Sequence, residues 1–287
     1  LVIDKIEPDF VICFGSRYLA PLVRYAREKK AKVIFYLASG TYTEEEMPVF
    51  EAVNQIVVPT NTLKTLYKDK LGLSSIVLST APNHQFERSS KDLPILAANR
   101  KEKFVTMINP AGPKGGLVFI NVANQYQKID PSITFLAVES RGKMTAWQES
   151  GIETTAIKNL WWVPKQANIE HVFRKTSILI VPSITYEAAG KVISEAMLCG
   201  IPVIASDIGG IKEQMRGAGE LVDIPQEVID NPGVMPVEYI NTWVGKIQKL
   251  LENEDEYLEA SRKSLSKSKV YSMQRVSKEV LKLFDCI

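Results

Sequence analysis

Short runs of β-branched and other apolar residues alternate along this chain with longer amphipathic stretches, and this alternation restricts the fold more than any other feature. Such a repeat is typical of α/β proteins, in which helices connect parallel strands. A polar segment over residues 80–102, which carries Pro82 and Pro94, separates two series of apolar runs. The predicted strands span residues 10–14, 32–37, 55–58 and 76–79 before this segment, and 104–108, 133–138, 154–157, 178–181 and 202–205 after it.

The two series of strands predict two α/β domains. A length of 287 residues agrees with this prediction, because domains typically contain roughly 100–150 residues. We expect a first domain over residues 1–98 and a second domain over residues 99–268. A C-terminal helix over residues 269–287 is expected to return to the first domain.

Composition and charge exclude several classes of protein. Hydrophobic residues make up 45% and charged residues 24% of the chain, as in an ordinary globular protein, and no apolar run approaches the ~20 residues of a membrane-spanning helix. The formal net charge of +2 is too small to indicate nucleic-acid binding, although it permits weak attraction to an acidic membrane surface. The three scattered cysteines argue against a disulfide framework and predict a cytoplasmic protein, and the two histidines exclude a multi-histidine zinc site.

A glycine-rich turn, Asn109-Pro-Ala-Gly-Pro-Lys-Gly-Gly116, joins the predicted strand 104–108 to the helix that follows it. Backbone N–H groups at such a turn point outward at the positive end of the helix, and Lys114 adds a charge, so the turn suits an anion. It lacks the Gly-Lys-Ser/Thr ending of a P-loop and the G-x-G-x-x-G pattern of dinucleotide-binding folds. A tight turn with a lysine in solvent explains the same residues equally well.

Two glutamates, Glu187 and Glu195, follow the predicted strand 178–181 and are separated by seven residues. The pattern predicts a loop that carries Glu187 and a helix that begins near Gly190 and contains Glu195. Both carboxylates then lie at the carboxyl edge of a parallel sheet, where open α/β folds bind ligands. Lys191 opposes the helix dipole in the first turn, which indicates a bound anion there, with a solvated lysine as the alternative.

The same segment resembles the E-x(7)-E signature of retaining glycosyltransferases with the GT-B fold, a family that includes sucrose-phosphate synthase-like and bacterial polysaccharide-building enzymes. The turn that begins at Asn109 is similar to the family's R-x(4)-K-G motif. The match is most specific over residues 181–213 and loosest over the first hundred residues. The residues that match the family's P-S, E, G, E-A-M, G, P-V and G-G-x-x-E positions are Pro182, Ser183, Glu187, Gly190, Glu195, Ala196, Met197, Gly200, Pro202, Val203, Gly209, Gly210 and Glu213.

This resemblance implies a GT-B fold, with two Rossmann-like parallel-sheet domains that face each other across a cleft. It implies that Lys114 neutralises the diphosphate of a sugar nucleotide, that Glu187 binds hydroxyl groups of the donor sugar, and that Glu195 binds the ribose diol. Lys114 and Glu187 are thus the implied catalytic residues, the turn at Gly190 would offer N–H groups to a phosphate, and Val163 would receive the base. The implied donor-binding set is Asn109, Gly112, Lys114, Gly115, Val163, Glu187, Ala188, Ala189, Gly190, Lys191, Val192 and Glu195.

Two departures from the family pattern bear on function. Asn109, which is neutral, occupies the position of the family's phosphate-binding arginine, and we expect Lys191 to compensate. The glycine-rich loop and the histidine of the family's first domain are not found, and the predicted strand 32–37 runs into Ala38-Ser39-Gly40 instead. The first domain is therefore expected to be shortened, either in a fragment of a longer enzyme or in a reduced GT-B protein.

The sequence therefore predicts a glycosyltransferase that moves a hexose from a UDP- or GDP-sugar to an acceptor, with retention of anomeric configuration. The expected acceptor is a sugar, a lipid-linked compound or another small molecule, and nucleic acid is not an expected partner. No Asp-x-Asp pair occurs in the chain, so neither a metal nor another cofactor is expected. A peripheral membrane contact or a homo-oligomer is compatible with the sequence. Two alternatives stay open: a non-catalytic or regulatory partner subunit that keeps the donor-binding domain, and a sugar-nucleotide epimerase, which the E-x(7)-E spacing disfavours.

Overall fold

Two parallel β-sheets, one after the other along the chain, form the framework of the molecule. The computed structural model describes residues 2–82, 84–88 and 104–287, and within these residues every strand pairing is parallel. This arrangement confirms the predicted α/β class with two parallel-sheet domains. The predicted boundary between residues 98 and 99, and most of the polar segment over residues 80–102, lie outside the described residues.

The strands of the first sheet are β1 (Phe10–Cys13), β2 (Lys32–Tyr36), β3 (Gln55–Val58) and β4 (Ile76–Val77), and they lie in this order. The strands of the second sheet are β5 (Phe104–Ile108), β6 (Thr134–Val138), β7 (Leu160–Val163), β8 (Thr176–Val181), β9 (Val203–Ser206) and β10 (Glu220–Val222). In the described part of the chain their spatial order is β10-β9-β8-β5-β6-β7. The direction of the connections reverses between β8 and β5, which opens a crevice at the carboxyl ends of these two strands.

Helices connect the strands, because parallel neighbours need a crossover between one strand and the next. In the first half of the described chain they are α1 (Val2–Ile6), α2 (Ala20–Glu28), α3 (Met47–Phe50), α4 (Asn61–Leu71), α5 (Gly116–Tyr126) and α6 (Met144–Glu149). They continue with α7 (Glu170–Phe173), α8 (Lys191–Leu198), α9 (Ile211–Met215), α10 (Gln226–Asp230), α11 (Val237–Glu252), α12 (Glu254–Ser268) and α13 (Met273–Cys286). Among the described residues, none of the helices combines the length and the apolar character that crossing a membrane requires.

Each sheet carries its own hydrophobic core. All six residues of β8 are buried, as expected for a central strand that is covered on both faces. The last helix, α13, packs on the first sheet rather than the second, since Leu283 belongs to one buried cluster with Ile34 and Val57. The ring of Phe284 also stacks on that of Phe10, with 4.5 Å between the ring centroids. Helix α13 therefore contacts the domain that contains the first sheet.

One predicted strand is wrong. Residues 154–157 form a short 3₁₀ turn at Thr154–Ala156, and the strand lies further along the chain at β7. Strands favour threonine and isoleucine, which are found in this stretch, and they also favour the two tryptophans of β7. Composition therefore does not distinguish the two segments, and it is β7 that pairs with β6. Strand β10, only three residues long, was not predicted from the sequence.

The two domains contact each other through the first turn of α4. Glu213, on α9 of the second domain, accepts hydrogen bonds from the backbone N–H groups of Asn61 and Thr62, both at 2.8 Å, and from the side chains of the same two residues at 2.8 and 3.0 Å. Burial raises the pKa of Glu213, but these four bonds outweigh it and hold the pKa below its ordinary value. An ionised carboxylate thus caps a helix of the other domain.

Candidate functional site

A cavity of about 230 Å³ lies at the carboxyl ends of β5 and β8, beside the first turn of α8. This is the crevice that the reversal of strand connections opens, and open α/β sheets bind ligands there. Three cationic side chains and one carboxylate are among its lining residues, so the cavity suits an anion. The lining residues are Met107, Ile108, Asn109, Lys114, Arg141, Ile180, Val181, Ser183, Glu187, Ala189, Gly190, Lys191 and Val192.

The carboxylate of Glu187 is paired on one side of the cavity. Its Oε1 atom forms an ion pair with Lys114 Nζ and accepts a hydrogen bond of 2.7 Å from Ser183 Oγ. Glu187 is only 8% exposed and Ser183 is fully buried, so the Glu187 carboxylate lies in the wall of the cavity. A buried carboxylate needs such partners, because an unpaired buried charge is costly. The other carboxylate oxygen has no hydrogen bond among the described residues and is available to a ligand hydroxyl group.

The loop that carries Glu187 is fixed by a glycine pair. The N–H of Gly210 donates a hydrogen bond of 2.7 Å to the carbonyl oxygen of Glu187. At Gly209, where φ is +58°, a Cβ atom would lie 2.2 Å from the same oxygen, so no larger side chain fits. From the first domain, Thr60 Oγ1 donates to the carbonyl of Ala188 at 3.0 Å. These contacts position Glu187 at the boundary between the two domains.

The turn that presents Lys114 is equally constrained. Gly115 has φ +80°, and a Cβ atom there would lie 1.8 Å from the carbonyl oxygen of Pro182. The indole N–H of Trp147 donates a hydrogen bond of 2.8 Å to the carbonyl of Pro110, at the other end of the turn. The turn is therefore packed directly against the strand end that leads to Glu187, which explains how Lys114 reaches that carboxylate.

The first turn of α8 leaves two backbone donors at the cavity. The N–H of Gly190 donates to Gln214 Oε1 at 2.7 Å, and the carbonyl of Gly190 accepts from Gln214 Nε2 at 2.8 Å, so the N–H of Gly190 is not free for a phosphate. Lys191 and Val192, the first two helical residues, line the cavity, and no partner of their N–H groups is found among the described residues. The positive end of the helix thus faces the cavity.

Glu195 lies one turn further along α8 and does not line the cavity. It is 8% exposed, and burial raises its pKa from 4.5 to about 7, a shift that Lys191 reduces in part. The Nζ atom of Lys191 is 3.9 Å from Glu195 Oε1, and its side chain is 63% exposed. Glu195 is therefore a buried carboxyl group whose charge depends on pH near neutrality.

The structure brings about half of the predicted donor-binding set together. The predicted residues that line the cavity are Asn109, Lys114, Glu187, Ala189, Gly190, Lys191 and Val192. Those outside the lining are Gly112, Gly115, Val163, Ala188 and Glu195. Val163 lies at the end of β7, where its carbonyl accepts a hydrogen bond of 2.9 Å from the N–H of Glu139.

The side chain of Asn109 has a local partner. Its φ is +61°, and its Oδ1 atom accepts hydrogen bonds from the backbone N–H groups of Arg141 and Gly142, both at 3.0 Å. Asparagine tolerates this left-handed conformation better than most residues. The oxygen of Asn109 therefore holds the loop after β6.

Two residues at the candidate site were not identified from the sequence. Arg141 lines the cavity from the loop after β6, and Gln214 fixes the backbone of Gly190 from α9. The position of Arg141 just after a strand of the same sheet was the available signal, because all carboxyl ends of parallel strands meet at one edge. No comparable signal identifies Gln214, since its role depends on a contact between residues 24 positions apart.

Comparison with known proteins gives several similarities. The chain is 28% identical over 233 residues to lipopolysaccharide 1,2-N-acetylglucosaminetransferase of Salmonella typhimurium strain LT2, a match that covers 73% of this chain and 58% of that protein. The chain thus spans less than two thirds of the length of this curated relative.

Solved structures show the same fold. HepE from Anabaena, solved in complex with UDP and glucose, matches with a TM-score of 0.76 and 15% identity over 100% of this chain and 80% of its own. The pneumococcal O-GlcNAc transferase GtfA, solved with UDP and GlcNAc, matches with a TM-score of 0.77 and 14% identity over 99% of this chain and 58% of its own. The two Rossmann-like parallel-sheet domains have the GT-B arrangement predicted from the sequence.

A family model identifies the chain more directly. The model described as "Glycosyl transferases group 1" matches residues 89–268. This stretch includes the turn of Lys114, the loop of Glu187 and helix α8, which together form the cavity, and it covers more than half of the 287 residues. The chain belongs to the glycosyl transferases group 1 family.

Proposed function

We propose that the chain transfers a hexose from a UDP- or GDP-sugar to an acceptor, with retention of anomeric configuration and without a metal. The observation that carries the proposal is the cavity at the carboxyl ends of β5 and β8, where three cations and the carboxylate of Glu187 converge on space for a charged ligand. The Salmonella relative is named as an N-acetylglucosaminetransferase, and HepE was solved with UDP and glucose, which agrees with a sugar nucleotide as donor.

The proposed roles follow from where each group lies. The diphosphate of the donor would occupy the cavity near Lys114 and the two free N–H groups of α8. The unbonded oxygen of Glu187 would accept a hydrogen bond from a hydroxyl group of the donor sugar. Glu195, further along α8, would bind the ribose diol. The proposed second domain over residues 99–268 would thus hold the donor, while residues 1–98 would bind most of the acceptor.

Leaving-group stabilisation would supply much of the rate. As the bond between sugar and diphosphate breaks, negative charge develops on the phosphate oxygens, and cations already in place lower the energy of that state. The ion pair between Lys114 and Glu187 keeps the lysine at the cavity before the donor arrives. Because these groups are cationic side chains and backbone donors, the proposed reaction needs no metal, and EDTA is expected to leave turnover unchanged.

Replacing Lys114 by alanine is expected to weaken UDP binding about tenfold to a hundredfold, since a charge-assisted contact contributes roughly 1.5–3 kcal/mol. Uridine binding is expected to stay the same, because uridine has no phosphate. Isothermal titration calorimetry with both ligands measures the two affinities. Lys212→Ala is the control, as Lys212 is exposed on α9 and pairs with Asp207 at 3.2 Å. Unchanged UDP affinity in Lys114→Ala would remove this lysine from the donor site.

Replacing Glu187 by glutamine is expected to separate binding from turnover. The variant keeps the shape of the side chain and loses its charge, so UDP is expected to bind at least as well as in the parent. The rate of nucleotide release from UDP- and GDP-sugars is expected to fall by about a hundredfold, because the donor sugar is no longer held by a carboxylate. Coupled assays of UDP and GDP release over a panel of sugar nucleotides measure this rate.

The same assays decide between the proposal and its alternatives. Binding of sugar nucleotides without turnover in the parent protein would favour a non-catalytic subunit, and conversion of one free sugar nucleotide into its epimer would favour an epimerase. With an acceptor present, the anomeric coupling constant of the transferred hexose in NMR spectra tests retention. An inverted product would overturn the retaining mechanism while leaving the donor site in place.

A further inference from the structure

We propose that Arg141 is a donor-binding residue that supplies the cation missing at position 109, and that Asn109 positions it. This inference rests on the proposed function, because it assigns Arg141 to the diphosphate of the donor. Its basis is that Arg141 lines the cavity on the side of β6. Neither the predicted site nor the family signature includes this residue.

The backbone of Arg141 is held in place by the turn that carries Lys114. The Oδ1 atom of Asn109 accepts the N–H groups of Arg141 and Gly142 at 3.0 Å each, and Gly142 lies so close that a Cβ atom there would be 2.2 Å from the backbone nitrogen of Ala111. The N–H of Asn109 in turn donates to the carbonyl of Val138, the last residue of β6, at 2.8 Å. The two loops are therefore fixed to each other at the cavity edge.

The side chain of Arg141, unlike its backbone, has no partner in this arrangement. It is exposed, and in the described part of the chain its guanidinium group makes no hydrogen bond or ion pair. The backbone of an ordinary surface arginine is not held by a side chain of a neighbouring loop. Arg141 differs, because its backbone is held in this way while its guanidinium group is unpaired at a cavity. A guanidinium group can bind a phosphate through two parallel hydrogen bonds.

The charges at the cavity favour this assignment. Lys114 forms an ion pair with Glu187, so the two residues together add no net charge to the cavity although Lys114 still donates to a phosphate. Of the other two cations in the lining, Lys191 has the carboxyl group of Glu195 at 3.9 Å, whereas Arg141 has no ion-pair partner among the described residues. The diphosphate of a sugar nucleotide carries two negative charges at neutral pH, so Lys191 alone leaves one of them unbalanced. Arg141, on the β6 side of the cavity, balances the second negative charge of the diphosphate.

The test compares nucleotide binding in Arg141→Gln, Arg141→Lys and Asn109→Gly. Arg141→Gln is expected to bind UDP about tenfold to a hundredfold more weakly than the parent, to bind uridine equally well, and to show a shallower dependence of UDP affinity on salt. Arg141→Lys is expected to recover part of the loss. Arg174→Gln serves as the control, because Arg174 is exposed, binds Glu170 at 2.8 Å and is not among the residues that line the cavity.

Asn109→Gly removes the acceptor of the two N–H groups without straining the positive φ, and it is expected to weaken UDP binding through a displaced Arg141. In Arg141→Gln, adding Asn109→Gly is then expected to cause little further loss. Fully additive losses would assign Asn109 a separate role and overturn the positioning claim. If the parent binds UDP and Arg141→Gln binds it equally well, the inference about Arg141 is overturned and the proposed function is not. A parent that binds neither UDP nor GDP would overturn the proposed function and this inference together.

Discussion

Replacing Gly115 by alanine is expected to lower the midpoint of thermal unfolding by about 10 °C or more and to abolish nucleotide binding. The added Cβ atom would lie 1.8 Å from the carbonyl oxygen of Pro182, which is backbone and has no flexible end that can move away. The turn of Lys114 and the strand end of β8 would have to separate, at a cost of more than about 4 kcal/mol. Each kcal/mol corresponds to roughly 2–4 °C for a domain of this size.

The matched control for this variant is Gly151→Ala. Gly151 has φ +82°, nearly the same as the +80° of Gly115, but no atom lies within 4 Å of a Cβ built on it. Gly151→Ala therefore measures the cost of a left-handed alanine alone, about 1–2 kcal/mol. Differential scanning calorimetry and UDP titration compare the two variants. If the unfolding midpoint falls by the same few degrees in both variants, the turn adjusts to the added Cβ atom. The close packing against Pro182 then does not hold the site together.

The part of the fold that sequence predicts best is the part with the most regular burial. β8 is covered on both faces, so its residues form a continuous apolar run that stands out in the sequence. The edge strand β7 is harder, because one face meets solvent and Trp161 is 54% exposed. The stretch over residues 154–157 has the composition of a strand but not the neighbouring strand that would pair with it. Pairing depends on tertiary structure, which local composition does not specify.

At the candidate site, too, the sequence predicts local features better than contacts between distant residues. Lys114, Glu187 and Lys191 could be placed at one edge because each follows a strand of the same parallel sheet. The family resemblance adds a role for each of these residues and implies that Asn109 also belongs to the donor site. In the structure the side chain of Asn109 binds the backbone of a loop 32 residues away. The position of Arg141 just after β6 indicates the correct edge of the sheet, but its link to Asn109 depends on a positive φ and on a hydrogen bond between residues 32 positions apart, which the sequence does not specify.

Replacing Glu195 by glutamine is expected to stabilise the unliganded protein at pH 8 by about 3 kcal/mol and to leave its stability at pH 4.5 nearly unchanged. The pKa of Glu195 is raised by burial from 4.5 to about 7 in the folded protein. An unfolded chain ionises this group near 4.5, whereas the folded chain keeps its proton until about pH 7, so folding becomes less favourable as pH rises between these values. Each pKa unit corresponds to 1.36 kcal/mol.

Chemical denaturation of parent and variant from pH 4.5 to 8.5 measures this difference. Glu213→Gln is the contrasting control, because the pKa of Glu213 is lowered by its four hydrogen bonds to Asn61 and Thr62. Its carboxylate therefore stabilises the folded protein above the unfolded pKa, and that stabilisation is lost as pH falls through the folded pKa. The two variants are expected to shift stability at pH 8 in opposite directions. Parallel curves for Glu195→Gln and the parent over the whole range would contradict a titrating buried Glu195.

An ionised, buried carboxyl group at position 195 lowers the stability of the folded protein. Ligand binding would explain why a glutamate lies there. Under the proposed function the ionised carboxylate accepts hydrogen bonds from the ribose hydroxyl groups, so Glu195→Gln is expected to weaken uridine and UDP binding together. Lys114→Ala, by contrast, is expected to spare uridine. Since the ligand binds the ionised form, uridine binding to the parent near pH 7 is expected to release protons, measurable by calorimetry in buffers of different ionisation enthalpy. Stabilisation of Glu195→Gln without any loss of uridine affinity would leave the buried carboxylate unexplained by donor binding.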